Sequence, residues 1–136
     1  MEIKILRKKI GSKHPAFVIA EGGINHNGNL RIAKKIILKA YESNADAIKF
    51  QTFKASDLAS PKSNYFKLFK KVELSDSDFE ELSDYAKQIG IPFLSTPFSF
   101  DAVKLLKRLK IPAFKMNQVA FTVFMIWIRY TSDLKI

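Results

Sequence analysis

Four short apolar runs each end in a polar or charged side chain that could take part in chemistry. The runs are FVIAE at 17–21, AIKFQ at 47–51, PFLST at 92–96 and AFK at 113–115. Continuous apolar runs of this length are typical of strands that are buried on both faces of a parallel sheet. Catalytic groups of parallel α/β folds lie where such strands end. The side chains at these four ends are therefore the candidate functional residues.

Two lysines lie within these runs, Lys49 in the second and Lys115 in the fourth. A buried ammonium group is costly without an anion nearby. The anion could be a substrate phosphate or carboxylate, for which lysine supplies a strong point charge. It could also be Asp46 or Glu21, or the ammonium group could reach solvent. Two lysines at matching places favour the substrate anion, and strand alternation predicts that Lys49 and Gln51 share one face.

Two further side chains at strand ends have a chemical and a plain structural interpretation. The Thr96 hydroxyl could donate to a phosphate oxygen, or Thr96 could be a turn residue before a proline. Glu21 could orient a sugar hydroxyl or act as a base, or it could pair with Lys49. His14 and His26 lack ligand spacing such as HxxxH, so no metal site is predicted, and His26 is interpreted as a hydrogen-bonding loop residue.

Helical segments are predicted between the four runs. Asn27 or Asn29 can cap the first helix, and Ser99 or Asp101 can cap the third. The second helix has the clearest signals, because a capping box begins at residue 75 and a C-cap glycine follows at residue 90.

The order of the predicted elements is β-α-β-α-β-α-β. This alternation predicts a parallel sheet with right-handed crossovers. Residues 2–10 predict a short N-terminal strand or hairpin. Residues 52–73 form a long connection with a short helix near 65–71, and connections of this length are usually functional or mobile.

Composition restricts the class of protein. Hydrophobic residues make up 47% of the 136, which is enough for a core. Cysteine is absent, and no signal peptide or membrane-length apolar run is visible, so we expect a cytoplasmic protein without a membrane partner. The net charge is +10, but the lysines are scattered over predicted helices, so we do not expect nucleic acid as a partner.

Four motifs resemble, in order, those of the N-acetylneuraminate (sialic acid) synthase family, of the NeuB type. They are FVIAEGGINHNG at 17–28, ADAIKFQTFK at 45–54, FLSTPF at 93–98 and IPAFK at 111–115. The resemblance covers roughly residues 12–115. It implies an α/β fold of the TIM (β/α)₈-barrel family, here a truncated half-barrel of about four βα units.

The resemblance also implies an activity and a set of site residues. The family condenses phosphoenolpyruvate with an N-acetylmannosamine-type sugar, as a homodimer, with manganese or magnesium as a Lewis acid. By motif position, Lys49, Thr96 and Lys115 correspond to phosphoenolpyruvate-binding residues. Glu21 corresponds to the acidic residue at the reacting centre, and Gln51 is a possible neighbour of the substrates.

The sequence departs from the family after Lys115. The family continues with an Ile-x-Ser-Gly turn, whereas this chain reads MNQV at 116–119. Inserting one base after the first two of the Met116 codon allows Ile-Glu-Ser-Gly, which suggests a frameshift; a short paralogue with a divergent tail is the alternative. We therefore divide the chain into a half-barrel at 1–115 and an apolar tail at 116–136.

The family's metal-binding histidines and its C-terminal antifreeze-like domain have no counterpart in this sequence. We therefore expect an inactive fragment with exposed sheet edges that self-associates or needs a partner half. Two other interpretations stay open: a non-catalytic basic α/β module that binds polyanions, and a different phosphate-binding half-barrel.

Overall fold

The computed structural model describes residues 2–116, which form a hairpin followed by a three-stranded parallel sheet with intervening helices. The strands are β1 (Ile3–Ile5), β2 (Lys8–Ile10), β3 (Ile19–Gly23), β4 (Ala47–Thr52) and β5 (Phe93–Pro97). The helices are α1 (Leu30–Glu42), α2 (Ala55–Leu58), α3 (Asn64–Val72), α4 (Asp76–Ile89) and α5 (Phe100–Arg108). The hairpin is antiparallel, and β3, β4 and β5 lie side by side in that order.

The predicted helix caps are confirmed, and the alternatives are resolved. The side chain of Asn29 accepts a hydrogen bond from a first-turn amide of α1, and Ser99 does the same for α5. Ser75 and Asp78 form the capping box of α4. Gly90 ends α4 in the left-handed conformation at φ +88°, where glycine avoids a steric cost. Local sequence therefore fixes where each of these helices begins or ends.

The main core lies between the sheet and helices α1, α4 and α5. Alternate strand residues Ile48, Phe50 and Phe93 enter it, and the Phe50 and Phe93 rings stack with centroids 5.7 Å apart. Lys49 is therefore on the opposite face of β4, as strand alternation predicts. The helices cover one face of the sheet and leave the other face for the candidate side chains.

The first apolar run differs from its prediction. The strand begins at Ile19 and continues to Gly23, and Val18 and Ile19 are 56% and 39% exposed. The interpretation of residues 17–21 as a strand buried on both faces is therefore wrong. Within residues 2–116, β3 pairs with a strand on one side only, whereas β4 pairs on both sides. The apolar side chains of β3 therefore have fewer neighbouring strand residues to pack against.

The fourth apolar run is not an extended strand. One isolated parallel bridge joins Ser95 to Phe114, and Phe114 is 42% exposed. The prediction of a buried strand at 113–115 is therefore wrong within the described residues. A strand needs continued pairing on at least one side, and here the pairing stops after one bridge.

The long connection after β4 contains two helices rather than one. The carboxylate of Glu73 accepts hydrogen bonds from the amide of Ala55, at 2.8 Å, and from the ammonium group of Lys70, at 2.9 Å. These bonds tie the start of α2 to the end of α3. Burial favours a higher pKa for Glu73, but these bonds and the charges of Lys70 and Lys54 together lower the pKa below its usual value.

No helix within residues 2–116 is long and apolar enough to span a membrane. Apart from Met116, the predicted tail lies outside the described residues. The hypothesis that a frameshift produced this tail therefore stays a prediction.

Candidate functional site

The five predicted site residues lie in two neighbouring rows on the sheet face opposite the helices. In the first row, Glu21 of β3 is the register partner of Lys49 in β4. In the second row, Gln51 of β4 is the partner of Thr96 in β5. The Ser95–Phe114 bridge places Lys115 beside Thr96 in the same register. The rows are two residues apart, or roughly 6.6 Å at the usual rise of a parallel strand.

Glu21 and Lys49 form an ion pair in the first row. The Lys49 Nζ atom lies 2.7 Å from Glu21 Oε2, and the two side chains are 8% and 55% exposed. Glu21 is therefore the protein anion that the sequence offered as a partner for this buried lysine. An ammonium group carries three donors, so the pair leaves Lys49 able to donate to a second anion.

Thr96 is buried, and its hydroxyl has no hydrogen-bond partner among the described residues. The neighbouring Ser95 hydroxyl, on the helix face, instead bonds to the hydroxyl of Thr52 at 2.7 Å. Thr96 lies inside β5, so its interpretation as a turn residue is wrong. An unpaired buried hydroxyl costs free energy, and an anion that accepted its hydrogen bond would remove that cost.

Lys115 completes the second row with an exposed side chain. Its backbone amide donates a hydrogen bond to the carbonyl oxygen of Ser95, at 3.1 Å. The backbone therefore holds Lys115 beside β5, while its ammonium group is reachable from solvent. Gln51, the neighbour of Thr96 on the other side, is half-buried.

The burial of His26 is the feature of this region that sequence reasoning missed. Its Nδ1 atom accepts a hydrogen bond from the amide of Gly28 at 3.1 Å, which confirms a hydrogen-bonding role in the loop. The ring is 1% exposed, lies 5.8 Å from the Phe50 ring, and has no partner for Nε2 among the described residues. Burial lowers the pKa of His26, and the charge of Asp78 opposes this only in part.

Backbone packing fixes the loop that follows Glu21. A Cβ atom on Gly22 would lie 2.8 Å from the Phe50 ring, and one on Gly28 would lie 2.2 Å from the carbonyl oxygen of Lys71. Gly28 also has a φ of +72°, which glycine adopts without steric cost. The two glycines therefore allow close approach to β4 and to the end of α3. In the sequence, the glycines and asparagines of this loop indicate only a turn, so the close packing is not predictable from them.

The described residues do not fit a metal centre. No group of three or more histidine, cysteine, aspartate or glutamate side chains within residues 2–116 could hold an ion. Glu21 is the carboxylate of the two rows, and its partner is a lysine. We therefore derive no chemistry through a metal from this part of the chain.

Comparison with known proteins shows that the chain is similar to part of several sugar-acid synthases. It is 40% identical over 133 residues to N,N'-diacetyllegionaminic acid synthase of Legionella pneumophila, covering 84% of this chain and 37% of that protein. It is 37% identical over 121 residues to mouse N-acetylneuraminate-9-phosphate synthase, covering 79% and 34%. The chain thus spans about a third of the length of these relatives.

A solved structure supports the same grouping. The sialic acid synthetase of Leptospira borgpetersenii superimposes with a TM-score of 0.86 at 29% identity, over 93% of this chain and 44% of that one. This similarity confirms that the fold is part of a (β/α)₈ barrel. The NeuB family model matches residues 36–132, which is well over half of the sequence. The ordered motifs, the parallel sheet and this match together establish that the chain belongs to the NeuB family.

Proposed function

We propose that this chain supplies the phosphoenolpyruvate-binding part of a nonulosonic acid synthase. The reaction condenses phosphoenolpyruvate with an N-acetylmannosamine-type sugar to form a nine-carbon keto-acid and phosphate, in carbohydrate biosynthesis. Membership of the NeuB family and the named activities of the relatives support this assignment. Phosphoenolpyruvate carries a phosphate and a carboxylate, so its site must supply several donors and positive charges.

The two-row face is the observation that carries the proposal. It combines a buried ammonium group on Lys49, an unpaired buried hydroxyl on Thr96 and an accessible ammonium group on Lys115. Each of the three can donate to an anionic oxygen, and two of them add positive charge. The Thr96 hydroxyl carries the most weight, because an acceptor for it is missing among the described residues.

Glu21 would act beside the bound phosphoenolpyruvate. A phosphate or carboxylate approaching Lys49 can accept hydrogen bonds from the ammonium donors that Glu21 does not use. The Glu21 carboxylate is more than half exposed, so it can turn toward the second substrate. There it would orient a hydroxyl or accept a proton, which are ordinary roles for a carboxylate at a reacting centre.

The remaining parts of the proposal concern the whole enzyme. The family's divalent metal would need ligands from outside residues 2–116. We propose that residues 1–115 are the part that binds phosphoenolpyruvate, that the chain alone binds it weakly without turnover, and that the whole enzyme is a dimer. Its location would be the cytoplasm, where phosphoenolpyruvate is formed.

Isothermal titration of the 136-residue chain with phosphoenolpyruvate tests the binding site. We expect saturable binding that Lys49→Ala, Thr96→Val and Lys115→Ala each weaken by about fivefold or more, since each removes a donor to a charged group. Lys35→Ala is the matched control, because Lys35 is exposed on α1 outside the two rows. Equal binding by all four variants would contradict the proposal.

Two further assays test the expected inactivity of the chain and the polyanion-binding alternative. The first mixes the chain with phosphoenolpyruvate, N-acetylmannosamine and manganese; turnover would refute the expected inactivity of the chain alone. The second measures binding to a DNA oligonucleotide at several salt concentrations. Salt-dependent binding that survives Lys49→Ala and Lys115→Ala, without phosphoenolpyruvate binding, would instead support a polyanion-binding module.

A further inference from the structure

A concave site lies at the opposite end of the sheet from the two rows. The cavity has a volume of about 890 Å³ and opens where β4 and β5 begin. The β1–β2 hairpin forms one wall, and the segments after α4 and α5 form the other. This volume is within the range of small-molecule clefts, roughly 300–1,000 Å³. The six-residue strand β4 separates this end of the sheet from the row of Gln51.

The lining combines apolar surface with positive charge. Apolar and aromatic side chains contribute much of the wall, among them Phe17, Tyr41 and Leu109. The charged side chains that line the cavity are four basic and one acidic: Arg7, Lys8, Lys87, Lys110 and Asp46. A cavity with an apolar wall and excess positive charge complements a ligand that has an apolar body and one anionic group.

The single acidic side chain is already neutralised. Asp46 forms an ion pair with Lys8 of the hairpin, and its second oxygen accepts a hydrogen bond from the amide of Val18 at 2.7 Å. The Asp46 side chain is 9% exposed, so this contact fixes the hairpin against the start of the sheet. The wall that carries Arg7 is therefore held in place, and Asp46 does not oppose an entering anion.

Three cations remain available at the cavity. Arg7, Lys87 and Lys110 are exposed, and none of them forms an ion pair with another residue within 2–116. Lys87 and Lys110 lie near the C-terminal ends of α4 and α5, where a positive charge also suits the helix dipole. That explanation does not apply to Arg7, which lies in the hairpin turn.

From these observations we infer that the hairpin cavity is a binding site for a small amphipathic anion, with an aromatic or aliphatic body and a single carboxylate, sulfonate or phosphate. The body would contact the apolar wall, and the anionic group would lie near Arg7, Lys87 and Lys110. Binding would hold the hairpin against the ends of α4 and α5. The site is separate from the proposed phosphoenolpyruvate site and does not depend on it.

Fluorescence titration of the 136-residue chain with 8-anilinonaphthalene-1-sulfonate tests this inference, because the probe has an apolar body and one sulfonate. We expect a saturable component of binding that depends on the cations of the cavity. Arg7→Glu and Lys87→Glu should each weaken binding by about fivefold or more, because each places a negative charge beside the bound sulfonate. Lys35→Glu makes the same charge change on exposed α1 surface outside the cavity and should alter affinity by less than about twofold.

Competition provides the second measurement. Octanoate should displace the probe, whereas octanol, which has the same chain length without the charge, should displace it much less. Equal probe affinity for the wild-type chain and the three variants would overturn the inference, because it would indicate general adsorption to apolar surface. Equal displacement by octanoate and octanol would overturn it as well, since the cations would then play no part.

Discussion

The ammonium group of Lys49 lies 2.7 Å from the carboxylate of Glu21, yet only the lysine is buried. The pair is therefore asymmetric. Removing Glu21 leaves a buried positive charge without its partner, whereas removing Lys49 leaves a carboxylate that water already solvates. The cost of burying an unpaired charge is the larger of the two effects.

This asymmetry predicts unequal costs for the two single substitutions. Glu21→Gln should lower the free energy of unfolding by about 1–2 kcal/mol, because it leaves the buried ammonium group of Lys49 without its anion. The loss is smaller than for a fully buried pair, since water reaches the Glu21 side. Lys49→Met should change it by less than about 0.5 kcal/mol or increase it. Urea denaturation monitored by circular dichroism measures both. Equal losses of unfolding free energy for the two variants would contradict the asymmetry, because they would show that Lys49 and Glu21 are equally accessible to water.

The hydroxyls of Ser95 and Thr96 face opposite sides of β5 and should respond differently to removal. Ser95→Ala leaves the buried Thr52 hydroxyl unpaired and should cost about 1–3 kcal/mol. Thr96→Val removes a hydroxyl that lacks a partner among residues 2–116, so it should be neutral or slightly stabilising without ligand. Denaturation with and without phosphoenolpyruvate measures both effects. The opposite order of costs would contradict the assignment of faces.

His26 should make stability fall in mild acid. Its pKa in the folded chain lies below the ordinary value of 6.5, because burial disfavours the charged ring. The unfolded chain therefore binds the proton more readily than the folded chain. The contribution of the buried neutral ring to the free energy of unfolding is complete above pH 6.5 and is lost as the pH falls through the folded pKa.

The matched variants for this effect are His26→Phe and His14→Gln. Urea denaturation between pH 5 and 8 should show a smaller loss of stability with falling pH for His26→Phe than for the wild-type chain. His14→Gln retains His26, so its stability should still fall with pH by the amount that His26 contributes. An unchanged pH dependence in His26→Phe would show that His26 does not contribute.

Two glycines with positive φ differ in the space around them. A Cβ atom on Gly28 would lie 2.2 Å from the carbonyl oxygen of Lys71, whereas one on Gly90 would meet no atom within 4 Å. Gly90→Ala should lower the free energy of unfolding by about 1–2 kcal/mol, because an alanine is strained in the left-handed conformation even where space is free. Gly28→Ala should cost at least about 1 kcal/mol more, because the backbone must also move. Thermal denaturation of the two variants makes the comparison.

Local signals in the sequence predicted much of this structure. The capping residues Asn29, Ser75 and Ser99 act within one helical turn, so the sequence nearby is sufficient to identify them. Alternation along β4 likewise predicts that Lys49 and Gln51 share the face opposite Phe50. These features depend on residues close together in the chain.

Features that depend on distant neighbours were not predictable in the same way. Residues 113–115 have the composition of a strand, but strand formation requires continued pairing that one bridge to Ser95 does not provide. The burial of His26 depends on Phe50, which is 24 positions away in the sequence. The exposure of Ile19 reflects the absence of a second strand neighbour for β3 within the described residues.

The contact between Gly22 and Phe50 has a consequence for how this family can diverge. The Phe50 ring occupies the space that a side chain at position 22 would need, and the two positions flank Glu21 and Lys49 in the chain. A larger residue at position 22 would therefore be tolerated only together with a smaller residue at position 50. The two positions should change together among homologues, and a larger residue at position 22 alone would displace the strands that carry Glu21 and Lys49.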